Sequence, residues 1–365
     1  MDATELLHIL LLKKVPKLGD LWARRLIAHY GTATAAVNAP DKELLDLTGF
    51  GAVKLKALRN PAVMELAQRE LEIIQRDNIK YVTFGSDDYP SLLRRCPDAP
   101  IILFMRGNIQ LEGRPTISIV GTRQLTATGE KFLHQFMEQI RPLDPVIISG
   151  YAYGTDIKAH RLALEHNLQT VACLAHGLNQ TYPRVHERYN KDMEAHGGFI
   201  TDFFNDDDFQ RQNFLGRNRV IAGLSECTLV VESASKGGSL VTADFANQYD
   251  RAVFAVPGRF DDTYSEGCNN FIKQHKAIPI TGAADMVYHL NWKLEAPVVQ
   301  QKSLFVELDQ DERPVYAFLK KEGTSELDDM NRETDIPVHR LASLLFQLEM
   351  KGLVRALPGK RFELV

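Results

Sequence analysis

The chain has 365 residues, with 43 lysines and arginines against 47 aspartates and glutamates, a formal net charge of −4. Hydrophobic residues make up 44% and charged residues 25%, which excludes a disordered chain and suits two or three globular domains. The near-neutral charge excludes nucleic-acid binding by bulk basicity, so any such binding must come from local clusters.

In chain order, the apolar run 6–12 has no basic stretch before it and is far too short to span a bilayer. Neither a secretion signal nor a membrane span is expected. Leu6, Leu10, Leu11, Leu18, Leu21, Leu26 and Ile27 recur at helical spacing, and residues 1–78 are predicted to form a helical domain of helix-hairpin-helix or SAM-like type. Two turns interrupt it, Val15-Pro16-Lys17-Leu18-Gly19 and Leu47-Thr48-Gly49-Phe50-Gly51. The second fits the hairpin pattern in which glycines aim backbone N–H groups at a phosphate; the first has Lys17 where a glycine would sit. Pure architecture explains both turns equally well.

From residue 79 to 294 strand-length apolar runs alternate with helical segments. Strands are predicted at 81–84, 101–106, 116–120, 146–149, 170–175, 199–202, 228–232, 252–256 and 277–280. Helices are predicted at 129–140, 156–166, 183–196, 213–224, 239–249 and 269–275. This order implies an α/β fold with a doubly wound, mostly parallel, Rossmann-like sheet. Residues 295–310 lack a clear period and are expected to be a linker. Residues 311–365 read as three helices and a hairpin, a winged-helix outline with nine basic and ten acidic residues. That balance of −1 lacks a DNA-reading face and favours protein contact or autoregulation.

Four cysteines, Cys96, Cys173, Cys227 and Cys268, show neither CxxC nor zinc spacing and are expected to be buried thiols in a reducing cytoplasm. Asp206-Asp207-Asp208 is expected to be a solvated loop. No GxxxxGK[ST], no GxGxxG after a strand, no GxSxG and no HExxH occurs. Neither a cofactor nor a metal is therefore expected, and no catalytic constellation stands out. His160 and His176 are expected to be structural.

Ligands of open α/β sheets bind beyond the strands' carboxyl ends. Four such loops carry small residues: Gly121-Thr122-Arg123, Ser149-Gly150 to Gly154, Gly177-Leu178-Asn179, and Lys236-Gly237-Gly238-Ser239. Arg217-Asn218-Arg219 forms a fifth cluster near the start of a predicted helix. Glycine is needed in such turns for steric reasons alone, but convergence on one sheet edge, with Arg123 and Lys236 as cations, points to a phosphate or phosphodiester site.

These blocks, in this order, resemble the DNA-processing protein A family (DprA, or Smf). Ser118 to Arg123 is similar to its Gly-Ser/Thr-Arg block, and Ser149 to Asp156 with Ala159-His160 to its Ser-Gly-x-Ala-x-Gly-Ile-Asp…Ala-His block. Gly177-Leu178-Asn179 with Tyr182-Pro183, Arg217 to Ser225, Lys236 to Ala243, Val256-Pro257-Gly258 and Ser265 to Asn269 complete the set. Thr155 replaces the usual isoleucine, and Leu215-Gly216 stands where a proline is common.

The resemblance implies a cytoplasmic single-stranded DNA-binding protein, not an enzyme, that forms a homodimer. It also implies loading of the RecA recombinase on incoming DNA in natural transformation. The expected DNA-binding residues are Gly121, Thr122, Arg123, Ser149, Gly150, Gly154, Asn179, Arg217, Asn218, Arg219, Lys236, Gly237, Gly238 and Ser239. Tyr151 and Tyr153 are candidates either for stacking on bases or for packing under their loop. The alternative is a nucleotide hydrolase of the lysine-decarboxylase-like (LOG) type, with Asp244 in the place of its glutamate. A third reading is an interaction scaffold whose winged helix is the active part.

Overall fold

A computed structural model describes residues 2–207, 209–292, 308–351, 353–357 and 359–364. Contacts divide the chain into two compact units, Met1–Leu294 and Glu295–Val365. The expected boundary at 78/79 falls inside the first unit, between helix Pro61–Arg76 and the first strand. Most of the expected linker 295–310, and Asp208 of the acidic run, lie outside the described residues.

The first unit is built on a nine-stranded sheet: β1 (Lys80–Thr83), β2 (Ile102–Gly107), β3 (Thr116–Val120), β4 (Val146–Ser149), β5 (Thr170–Cys173), β6 (Gly197–Thr201), β7 (Cys227–Val230), β8 (Ala252–Ala255) and β9 (Ile278–Pro279). Their spatial order is β1-β2-β6-β5-β4-β3-β7-β8-β9. From β6 to β9 every pairing is parallel, whereas β2 runs antiparallel to both its neighbours. The expected mostly parallel sheet is present, with the antiparallel β2 as an addition. All five residues of β3, Thr-Ile-Ser-Ile-Val, are buried, as helix-covered faces require.

Connections from β3 run one way, to β4 and β5, while those from β7 run the other, to β8 and β9. The order therefore reverses between β3 and β7, and a crevice opens at their carboxyl ends. Helices flank it for local reasons. Thr126 caps helix Ala127–Ile140 by accepting from the Gly129 amide at 3.2 Å. The predicted helix 183–196 is instead a 3₁₀ segment, Arg184–Tyr189, followed by helix Asn190–Ala195. The hydrophobic pattern carries no sign of this break.

Residues 3–76 form six helices, and both expected turns are present. Lys17 takes the left-handed conformation (φ 62°) where a glycine was expected, and Gly49 and Gly51 have φ of 87° and 57°. These helices share a core with the sheet: Leu10, Leu26 and Phe50 belong with Ile102, Phe104 and Phe199. An ionic cluster reinforces the contact. Asp202, just after β6, accepts from Lys13 at 2.9 Å and Arg219 at 2.5 Å, and Asp20 takes the same two cations at 3.1 and 3.0 Å.

The second unit has helices Glu312–Glu322, Leu327–Thr334 and Val338–Met350 around Val315, Leu319, Met330, Leu341 and Leu345. Strands Val354–Leu357 and Arg361–Leu364 form the predicted hairpin. A two-residue strand, Ser325–Glu326, too short to leave a pattern in the sequence, pairs with its outer edge. This is a winged helix.

Candidate nucleic-acid interface

The crevice at the β3/β7 switch is a cavity of about 800 Å³. From the loop after β3 come Gly121, Thr122 and Arg123; from the loop after β7 and the helix it feeds (Gly238–Gln248) come Lys236, Gly237, Gly238 and Ser239. Helix Arg211–Gly223, which carries the chain from β6 across to β7, adds Arg217 and Asn218. Nine of the fourteen expected residues thus line one space, although they span more than a hundred positions of sequence.

Their electrostatic states differ. Arg123 and Lys236 are exposed and have no hydrogen-bond or ion-pair partner among the described residues. Arg217 is buried (4% exposed), and its Nη1 donates to the carbonyl of Gly150 at 2.6 Å and to that of Cys173. Burial lowers its pKa, Asp156 pulls the other way, and nearby Arg123 adds to the lowering. Asp156 is the one carboxylate in the wall among the described residues. Burial raises its pKa against the pull of Arg217, and its Oδ2 accepts from the amides of Gly150 and Ala152 at 3.2 Å.

The glycines are not equivalent. The amides of Gly238 and Ser239 open a helix and have no intrahelical acceptor, so they are available to an anion. The amide of Gly237 instead donates to Ala234 at 2.9 Å and that of Gly150 to Asp156, so neither is free for a phosphate. Gly150 is required for space: a Cβ there would come within 2.6 Å of Arg217 Nη2. Gly154, at φ 74°, packs against the backbone of Thr122 and Arg123 and fixes the shape of that loop.

Of the five expected residues outside the lining, Gly150 and Gly154 pack behind it and the other three lie elsewhere. Ser149 is fully buried beneath the loop, its hydroxyl donating to Ile119 at 2.6 Å. Asn179 pairs with Asn205 on a different, smaller cavity beside Arg106. Arg219 points away into the ionic cluster with Asp20 and Asp202, which raise its pKa despite the opposing effect of burial. Tyr151 is also removed from the surface, being 0% exposed, with its hydroxyl 2.9 Å from His186 O and Asn190 Oδ1. Tyr153 remains 46% exposed. The histidines have structural partners: burial pushes His160 down to about 3, with Nδ1 on Thr170, and His176 bonds Gly177.

The cavity also contains residues that were not expected to bind DNA, Tyr182 among them although it belongs to one of the family blocks. Arg211 adds an exposed guanidinium without a partner among the described residues. Tyr182, Phe209 and Phe214 form an aromatic trio in the wall, with ring centroids 4.6, 5.7 and 5.3 Å apart. Tyr182 and Phe209 are 42% and 45% exposed. The available signal was two phenylalanines within the eight residues before Arg217, Phe209 just ahead of a largely polar helix and Phe214 in its first turn. Asp244, by contrast, does not line the cavity and pairs with Lys276 at 3.0 Å on the outer surface. All four cysteines are buried thiols, and no cluster of metal-ligating side chains occurs among the described residues.

Comparison with known proteins bears on the fold and the family. The family model described as DNA recombination-mediator protein A matches residues 80–291, and the DprA winged helix domain matches residues 303–360. Protein Smf of Escherichia coli K12 is 33% identical over 295 aligned positions, covering 78% of each chain. Protein Smf of Synechocystis is 28% identical over the whole of both chains. Among solved structures, DNA processing protein A of Streptococcus pneumoniae superposes with a TM-score of 0.65 at 26% identity, over 79% of this chain and 98% of its own. That of Helicobacter pylori, described for its single-stranded DNA binding mode, gives 0.52 at 25% identity over 58% of this chain and 96% of its own. The sheet and the winged helix are thus both matched, and the chain belongs to the DNA recombination-mediator protein A family, DprA or Smf.

Proposed function

We propose that this protein binds single-stranded DNA in the β3/β7 crevice, without catalysing a reaction on it. The observation that carries this reading is the pairing of two chemistries in one wall. Arg123, Arg211 and Lys236 are cations without partners among the described residues, suited to phosphates, and Tyr182, Phe209 and Phe214 are accessible aromatic faces suited to unstacked bases. Bases in a duplex are stacked on each other and cannot reach such faces. The Helicobacter pylori relative described for single-stranded DNA binding supports the same reading. Arg217, Asn218 and the glycines shape the wall; Gly238 and Ser239 offer amides to the backbone. By the same family relationship, the protein acts in the cytoplasm as a homodimer that protects incoming strands and loads the RecA recombinase on them in natural transformation.

The test is fluorescence anisotropy of a labelled oligonucleotide, single-stranded and duplex, across a salt series. The expected result is tight binding to the single strand, weak binding to the duplex and a clear salt dependence. Arg123→Ala and Lys236→Ala should each lower affinity and reduce the log–log salt slope by about 0.7 for each phosphate no longer neutralised. Unchanged affinity and slope in both variants would remove the crevice from the binding reaction.

A further inference from the structure

The loop that follows β8, residues 256–265, carries Phe260, which is 96% exposed, next to Arg259. An aromatic side chain held almost wholly in water has an energetic cost that packing normally removes. The loop is nevertheless well braced. Asn269 Nδ2 donates to Gly258 O at 3.1 Å and its Oδ1 accepts from the Gly258 amide at 3.1 Å. Ser265 Oγ donates to Asp262 at 2.7 Å. The brace also ties the loop to both walls of the crevice: Tyr264 O accepts from the Ser233 amide at 2.6 Å, and Tyr264 Oη donates to Gln124, the residue after Arg123.

The sheet order turns this into a line. Tyr182 follows β5, the crevice lies between β3 and β7, and Phe260 follows β8. Four strand spacings of about 4.8 Å separate β5 from β8, so the aromatic trio, the cations and Phe260 occupy three successive stations over roughly 19 Å of the same carboxyl edge. We infer that Phe260 is a second stacking point for the same single strand, on the far side of the crevice from Tyr182, Phe209 and Phe214. The strand crosses the sheet edge with its phosphates at Arg123 and Lys236 and bases stacked at either end. Arg259, paired with the exposed Asp261 at 3.1 Å, neutralises the acid that would otherwise face the strand there, while Asp262 is engaged by Ser265. This inference rests on the proposed single-strand binding and extends its length.

Two oligothymidylates test it, one of about three nucleotides, too short to reach from the aromatic trio to Phe260, and one of about twenty, enough to cross the edge. Phe260→Ala should weaken the longer one about tenfold and leave the shorter unchanged, and Phe260→Trp should restore the longer. Because Phe260 touches little, neither substitution threatens the fold. Equal affinity of wild type and Phe260→Ala for the longer strand would overturn the inference, as would an equal loss on both lengths. A shift of Phe260→Ala towards monomer in sedimentation, with affinity kept, would also overturn it and make Phe260 a contact between copies. Failure of the underlying reading is separate: the wild-type protein would then bind neither oligonucleotide.

Discussion

Residue types that look alike in the sequence separate by environment. Tyr151 and Tyr153 stand two apart in one loop, yet the first is sealed beneath it among His160, His186 and Phe199 and the second is half exposed. Tyr151→Phe should therefore leave single-strand affinity unchanged while lowering stability by about 1–3 kcal/mol, because it orphans the buried groups at its hydroxyl. Tyr182→Ala and Phe209→Ala should do the reverse, costing about 1–3 kcal/mol of binding per stacked base with little effect on the melting temperature. Anisotropy and thermal melts on the same samples check both. The distinction was not legible in the sequence, since the groups that hold the Tyr151 hydroxyl and two of the three rings around it lie 35 or more residues away. For Arg217 and Arg219 it was in part. Two residues on a helix are about 200° apart, so a pair at i and i+2 cannot face one cavity. The helix period therefore argues against the expectation that both bind DNA, but not for one over the other; it is the structure that gives the crevice to Arg217 and the opposite face to Arg219.

That opposite face is where helix Arg211–Gly223 meets the N-terminal helices. Lys13, Asp20, Asp202 and Arg219 form a buried square of two cations and two carboxylates, each with partners of opposite charge. Asp202→Ala would leave both cations on Asp20 alone, and a loss of about 3–5 kcal/mol is expected in a denaturation curve. The nearby helix Pro61–Arg76 contributes a second contact through Glu70, 1% exposed, which accepts from the Asn205 amide at 3.0 Å and from Asn205 Nδ2 at 2.8 Å. Burial raises the Glu70 pKa from 4.5 to about 7; the Asn205 bonds oppose this, and Asp206 and Asp207 add to it. The sign follows from linkage. A carboxyl whose pKa is higher folded than unfolded holds more protons in the folded state, so stability falls as pH rises from about 4.5 to about 7. At 1.36 kcal/mol per unit the cost above that window is on the order of 3 kcal/mol. Urea midpoints across the window should therefore decline with pH in the wild type, and Glu70→Gln should lose that slope. Neither contact could be read from the chain, because an ionisable residue on a helix face normally signals solvent.

At the scale of the whole molecule the alternation of strand and helix made the parallel sheet and the position of its carboxyl edge legible. The β6-to-β7 crossover was not, since periodicity says nothing about which strands become neighbours. It is this crossover that lays Arg211, Phe214 and Arg217 over the ends of β4 and β5, and so completes the crevice. The winged helix has its own core around Leu319, Leu341 and Leu345 and carries nine basic against ten acidic residues. The exposed face of its helix Val338–Met350 presents Phe346 at 62% and Met350 at 75% exposure, apolar where a DNA-reading helix would carry arginine or lysine. Phosphate contacts set both the affinity and its salt dependence, and every cation of the crevice without a partner among the described residues lies before residue 240. A protein ending at Leu294 should therefore keep the single-strand affinity, the preference over duplex and the salt slope of the full chain, measured side by side by anisotropy. A fall in slope on truncation would mean that the second unit reaches the phosphates itself, and the single-strand site would have to be redrawn to include its wing.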